Sequence, residues 1–307
     1  MAHDLAHFGD RLCEAVLVRD APCVVGLDPV LEYIPDAFIR DCDLSRDGDL
    51  EERARIIEAY SLMTLEAVHD LVPAVKPQMA YFELYGSYGM RALERCIELA
   101  RELGLLVLLD GKRGDIGSTS RAYADAYLAR TPARAWEVDC MTLNPYLGED
   151  SLSPFVDAAL EHGKGLFVCV RTSNPGADVV QLQQGTDGRA LYEVVADLVS
   201  GLNERSVGQH GYGSIGAVVG ATQAEAAQRL RKRMQRCLFL VPGYGAQGGS
   251  LDTVRACFAE DGRGALVNSA RAVMYPARFG GASASAAKDA VRAAARDFVG
   301  TIRSSLR

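Results

Sequence analysis

The segment LLVLLDGKRGDIGST, residues 105–119, decides how this chain folds. A run of aliphatic residues, Leu105 to Leu109, leads directly into Asp110, Lys112, Arg113 and Asp115. Apolarity without alternation marks a strand covered on both faces, as in a parallel sheet. Comparable runs recur: CVVGLD (23–28), PAVKP (73–77), EVDCMTL (137–143), GLFVCV (165–170), IGAVVG (215–220), CLFLVP (237–242) and ALVNS (265–269). Amphipathic stretches such as ARIIEAYSLMTLEAVHDL (54–71), RALERCIELARELG (91–104) and RALYEVVADLVSGLNE (189–204) lie between them. Eight strands with intervening helices in 307 residues predict an α/β fold, a (β/α)8 TIM barrel forming one domain over 1–307. A doubly wound sheet is the structural alternative. An N-terminal helix over about 1–20 and a C-terminal helix over about 284–307 are expected to pack on the barrel. The two longest gaps between strands, 29–72 and 171–214, predict extended βα loops on the face where barrels bind substrates.

A net charge of −7 argues against nucleic-acid binding, which needs a clustered basic surface. The one dense basic run, RLRKRMQR (229–236), reads as the exposed end of a helix. No stretch approaches the roughly 20 apolar residues of a membrane span, and the first residues lack a signal-peptide core. Eight cysteines without a C-x-x-C pair, mostly inside apolar runs, fit reduced thiols in a cytoplasmic protein. The scattered histidines suggest no metal site.

Charge at strand ends carries the functional reading. Residues i and i+2 of a strand share a face, so Asp110 and Lys112 should project together into the barrel mouth. Asp28 closes VVGLD, and Lys76 lies in PAVKPQMAYFE. Consecutive strands thus deliver Asp28, Lys76, Asp110 and Lys112 to one rim. Asp115 either joins that cluster or steadies the start of a following helix, for which Ser118, Thr119 and Ser120 are N-cap candidates. Two segments match G-x-G-x-x-G, GYGSIG (211–216) and GYGAQG (243–248). The first precedes a strand, the wrong order for a dinucleotide site. The second follows the seventh strand, where barrels often bind phosphate, and Arg271 after the eighth could supply the matching cation.

Taken in order, VGLDP, VKPQMAYFE, DGKRGDIGST, LNPYLGED, RTSNPG, VPGYGAQGG and NSARAVMY resemble the orotidine 5′-phosphate decarboxylase family, in particular its longer bacterial branch. DGKRGD is similar to that family's D-x-K-x-x-D signature, and the ordered set spans nearly the whole chain. The resemblance implies cofactor-independent conversion of orotidine 5′-phosphate to UMP and CO2 in pyrimidine biosynthesis. It makes Lys112 the proton donor within an alternating network of Lys76, Asp110 and Lys112, completed by Asp115 of the partner subunit in a homodimer. It places Asp28 on the ribose, Gln247 and Arg271 on the phosphate, Ser173 (beside Thr172) on the base, and Thr119 among the substrate-binding residues. Ser118 stands where many relatives have Asn, and Ala270 where they have Gly or Ser.

The chemistry fits these residue types. Loss of CO2 from C6 of orotate leaves a carbanion, and no thiamine, pyridoxal or metal motif is visible to stabilise it. A fixed ammonium beside carboxylates that favour its ionised form can do so and deliver the proton. The 171–188 loop is the candidate lid. Three rival readings fit the same residues less well: a Mg²⁺-dependent sugar-phosphate decarboxylase or aldolase using Glu83 or Asp139 as an extra ligand, a Schiff-base aldolase, and a non-catalytic nucleotide sensor.

Overall fold

The computed structural model describes residues 7–129, 137–244, 248–276 and 283–307. In chain order its elements begin with α1 (Phe8–Arg19), β1 (Cys23–Leu27), α2 (Asp36–Asp41), α3 (Leu50–Val68), β2 (Ala74–Pro77), α4 (Met79–Glu83) and α5 (Gly86–Glu102). Next come β3 (Leu106–Arg113), α6 (Gly117–Tyr127), β4 (Cys140–Leu143), α7 (Glu149–His162), β5 (Gly165–Arg171), α8 (Ala177–Gln181) and α9 (Leu191–Asn203). The chain finishes with β6 (Ile215–Val219), α10 (Ala224–Arg233), β7 (Phe239–Val241), α11 (Leu251–Cys257), β8 (Ala265–Ser269), α12 (Arg271–Met274) and α13 (Ala284–Ser305). Every apolar run singled out in the sequence holds a strand. The strands pair in parallel in chain order, and β8 closes on β1 through Val24 opposite Asn268. The result is a single (β/α)8 TIM barrel, not a doubly wound sheet.

Two apolar layers hold it together. The outer one lies between sheet and helices and includes Val25, Val75, Leu109 and Met141 from the strands, with Ile57, Leu93 and Phe155 from the helices. The inner one fills the barrel with Val24, Ala74, Leu108, Cys140, Phe167 and Leu266. Strand alternation produces this division, because successive side chains point to opposite faces. α1 closes the N-terminal end: Phe8 and Leu12 are fully buried, and the Phe8 ring meets Phe167 edge-on at 6.4 Å. Burial of such a side chain contributes about 1.5–3 kcal/mol. α1 begins at Phe8, residues 1–6 of the helix expected over about 1–20 lie outside the described residues, and α13 runs over Ala284–Ser305.

Local signals set several boundaries. The Asp49 carboxylate accepts from the Glu52 N–H at 2.9 Å and starts α3, and Ser283 caps α13 through the Ala286 N–H. One expectation needs correction: Ser118, Thr119 and Ser120 lie within α6, and Ile116 occupies its N-cap position. Asp115 takes over the polar work there. Its Oδ1 accepts the Ile116 N–H at 2.8 Å, and its carbonyl accepts the Ser120 hydroxyl. Among the described residues no helix is long and apolar enough to cross a membrane, and all eight cysteines are free thiols.

Candidate active site

Two residues beyond Val24, Ala74, Leu108, Cys140, Phe167 and Leu266, the inward positions become Gly26, Lys76, Asp110, Thr142, Cys169 and Asn268. The barrel interior thus turns from apolar to polar within one layer at the carboxyl ends of the strands. Above that layer opens a cavity of about 600 Å³ lined by Asp28, Lys76, Asp110, Lys112, Ser173 and Arg271, among others. Four strand-end charges expected at one rim are brought together.

Asp110 is the centre of the arrangement. Its Oδ2 accepts from Lys76 Nζ at 2.8 Å and Gln78 Nε2 at 3.0 Å. Its Oδ1 accepts from Lys112 Nζ at 2.5 Å and Thr142 Oγ1 at 2.8 Å. Burial by itself would raise the Asp110 carboxyl, but the two ammonium groups outweigh it and hold its pKa well below the usual carboxylate range. Lys76 shows the mirror image: burial lowers it, Asp110 and Asp28 raise it, and the raised state prevails. The side chains of Lys76 and Asp110 are only 5% and 9% exposed, against 47% for Lys112. All three line the cavity, and Lys112 is the member most open to it.

Asp110 and Lys112 do project together, though not through regular alternation. β3 and β4 pair at Leu109–Met141 and next at Arg113–Leu143, so residues 110–112 bulge opposite the single residue Thr142. Lys112 takes a left-handed backbone with φ +43°, a conformation that costs a non-glycine residue about 1–2 kcal/mol.

Asp28 follows β1 at the cavity wall. Burial pushes its carboxyl above the usual range, Lys76 opposes this, and Asp110 adds to it. Oδ1 of Asp28 and Oδ1 of Asn268 are buried and accept no hydrogen bond from the described residues. Gly26 permits this close packing, since a Cβ there would stand 2.6 Å from that of Ala270. Across the mouth Ser173 and Thr172 both line the cavity. Thr172 is engaged already: its hydroxyl donates to Asn174 Oδ1 at 2.7 Å and accepts from Gln181 Nε2 at 2.8 Å. Gly220 lets Ser173 approach β6, as a Cβ at 220 would sit 2.8 Å from the Ser173 backbone nitrogen. The segment carrying α8 folds over this side, held by buried Arg171, which donates to Asp178 Oδ1 and to Gln181 Oε1. Gly243 and Arg271, after β7 and β8, complete the rim where phosphate was expected. Gln247 lies outside the described residues.

Asp115 and Thr119 do not line the cavity of their own chain. Nor do the alternative metal ligands reach it. Glu83 pairs with Arg113, and Asp139 sits before β4 at the opposite end of the barrel, bonded to Arg11 and the Val107 N–H. Among the described residues no group of three or more His, Cys, Asp or Glu side chains is arranged to hold a metal ion. GYGSIG ends at the first two residues of β6, also on the far side from the mouth. Gln78, Thr142 and Asn268 are site residues that the sequence reading missed. Their signal was positional, since each stands two residues beyond an inward-facing position.

Comparison with known proteins agrees with this geometry. The profile of the family described as orotidine 5′-phosphate decarboxylase / HUMPS matches residues 49–277. A Rhodopirellula baltica protein named orotidine 5′-phosphate decarboxylase is 45% identical over 274 residues, 87% of this chain and 88% of its own. A solved structure from Streptomyces avermitilis superposes with a TM-score of 0.81 at 36% identity, covering 98% of this chain and 96% of that one. The Leishmania donovani OMP decarboxylase structure gives a TM-score of 0.75 at 31% identity, covering 98% and 99%. With the profile covering most of its length and such relatives matching it almost end to end, the chain belongs to the orotidine 5′-phosphate decarboxylase / HUMPS family.

Proposed function

We propose that the protein is a carboxy-lyase that converts orotidine 5′-phosphate to UMP and CO2, the last step in making UMP. The observation that carries this reading is the half-exposed Lys112 ammonium, anchored to a buried and fully bonded Asp110. In the reaction the bond between C6 and the carboxylate breaks, its electron pair stays on C6, and CO2 departs. Lys112 offsets the developing charge and gives C6 a proton, which solvent then restores to the amine. Because Lys76, Gln78 and Thr142 already hold Asp110, the electrostatic field at Lys112 needs no reorganisation during the reaction. The Asp110 carboxylate would also crowd the departing carboxylate. Buried acceptors on Asp28 and Asn268 that have no partner among the described residues suit the ribose hydroxyls. Arg271 and the loop containing Gln247 suit the phosphate, and Ser173 the base. Binding the phosphate away from the reacting carbon lets that interaction favour closure of the 171–188 segment over the ring. None of these steps calls for a cofactor.

We further infer a homodimer with composite sites. Leu84, Ile116, Tyr146 and Leu147 follow β2, β3 and β4 on neighbouring loops and are 68%, 58%, 79% and 49% exposed. Asp115 lies next to Ile116 in the loop after β3, where its carboxylate is held by its own helix start and does not line its own cavity. An isologous interface there would bring Asp115 of the partner subunit to the network. The free thiols support a reducing compartment, the cytoplasm.

The test is an absorbance assay on purified protein with orotidine 5′-phosphate and no added metal. Turnover is expected, and Lys112→Met should lower kcat by about 10⁴ or more, since a general acid and a charge stabiliser are lost together. Normal rates in that variant would overturn the assignment.

A further inference from the structure

Among the described residues three non-glycine positions have positive φ: Asp20, Asp43 and Lys112. Aspartate tolerates the left-handed region through local side-chain bonding, whereas lysine has no such relief. Something outside β3 must therefore hold the Lys112 backbone. Its N–H donates to Thr142 Oγ1 at 2.9 Å. That hydroxyl donates in turn to Asp110 Oδ1 at 2.8 Å, and the same oxygen receives Lys112 Nζ at 2.5 Å. The bonds run from the Lys112 backbone through Thr142 and Asp110 back to the Lys112 side chain, a closed ring. Thr142 is also the one β4 residue opposite the three bulged residues of β3, and it is buried in an otherwise apolar strand. A hydroxyl there acts as donor and acceptor at once, which neither valine nor alanine could do.

We propose that Thr142 is a positioning residue whose hydroxyl fixes the bulged Lys112 backbone to the Asp110 carboxylate and so sets where the proton-transferring amine stands. Its effect on turnover rests on the decarboxylase reading; its effect on the Lys112 backbone does not. Thr142→Ser and Thr142→Ala both remove the methyl group and differ only in the hydroxyl. Thr142→Ala should lower kcat about 10- to 100-fold, the scale of a lost hydrogen bond to a charged group. KM for orotidine 5′-phosphate and the affinity for UMP should stay within about twofold, because Thr142 acts on the amine and not on ribose or phosphate. Thr142→Ser should remain within about threefold of the native kcat. In crystals, Lys112 of the Ala variant should leave the left-handed region or withdraw Nζ from Asp110, while the Ser variant keeps both. Thr142→Val, which preserves volume, supplies the same comparison if the Ala variant fails to fold. Equal losses in Ser and Ala, an unchanged kcat in Ala, or an unmoved Lys112 in Ala crystals would each overturn the proposal. Should the native protein leave orotidine 5′-phosphate intact, the functional reading falls, and the crystallographic comparison still decides the role of Thr142.

Discussion

Replacing Lys76 by methionine tests the charge architecture of the site directly. Lys76 is buried, donates to Asp110 Oδ2 at 2.8 Å, and is the opposing charge that restrains the raised carboxyl of Asp28. Methionine keeps most of the volume and removes the ammonium, leaving two carboxylates in the cavity wall with less compensation. Removing one partner of a buried pair destabilises a protein by about 3–5 kcal/mol, because the other charge stays behind. Unfolding entropy of about 2.1 cal/mol/K per residue gives about 0.64 kcal/mol/K for 307 residues, so Tm should fall by about 5–8 °C at pH 7.5. The sign of the pH dependence follows from the carboxyls. In the native protein the depressed Asp110 contributes stability above its unfolded pKa and loses it as pH falls through the folded value. Without Lys76 that depression shrinks and Asp28 rises further, so the variant folds with more protons bound than the native chain. The gap in Tm should therefore narrow as pH falls from 7.5 toward 4.5. Differential scanning calorimetry across that range is the measurement. A drop under about 2 °C, or a gap that widens toward acid, would refute the claim that Lys76 compensates two carboxylates of the cavity wall.

Asp28→Asn should move stability and function in opposite directions. The folded pKa of Asp28 lies above the unfolded one, so the native state loses stability as pH rises from about 3.9 through the folded value. Removing that ionisation should raise Tm at pH 7.5 while KM for orotidine 5′-phosphate increases about 10-fold or more, from the weaker bond to a ribose hydroxyl; a lower Tm would contradict it. Mixing equal amounts of inactive Lys112→Ala and Asp115→Ala chains should restore roughly a quarter of native activity, since half the dimers are mixed and each has one intact composite site. No recovery in verified mixed dimers would rule out shared sites.

How much of this was legible in the sequence depends on how local the determining physics is. The eight strands were legible because burial on both faces leaves continuous aliphatic runs, as in LLVLLD and GLFVCV. Asp28, Lys76, Asp110 and Lys112 were legible because a charge at the end of such a run has few bland explanations when it recurs on neighbouring strands. Thr142 was not, since a threonine in CMTL is also an ordinary strand former, and its opposition to a bulge depends on the β3–β4 register. The bulge itself was invisible for the same reason, and simple alternation gave the right neighbours for the wrong backbone. The start of α6 was misplaced because Asp115, not a serine or threonine, bonds the exposed backbone and so displaces the expected cap.

The polar atoms of the cavity fall into two sets, and the division explains how a barrel can be rigid and reactive at one place. Asp110 has both oxygens doubly bonded to donors, from Lys76, Gln78, Lys112 and Thr142. Such a group is held by the fold whether or not a ligand is present, and its field at the exposed Lys112 amine is constant. Asp28 and Asn268 each keep a buried oxygen with no donor among the described residues, an arrangement suited to incoming hydroxyl groups. The ribose binding proposed for Asp28 and Asn268 would thus draw on the unsatisfied set, and the proton transfer proposed for Lys112 on the satisfied one. Both rest on the apolar layer beneath, where Leu108, Cys140 and Phe167 keep β3, β4 and β5 from shifting against one another.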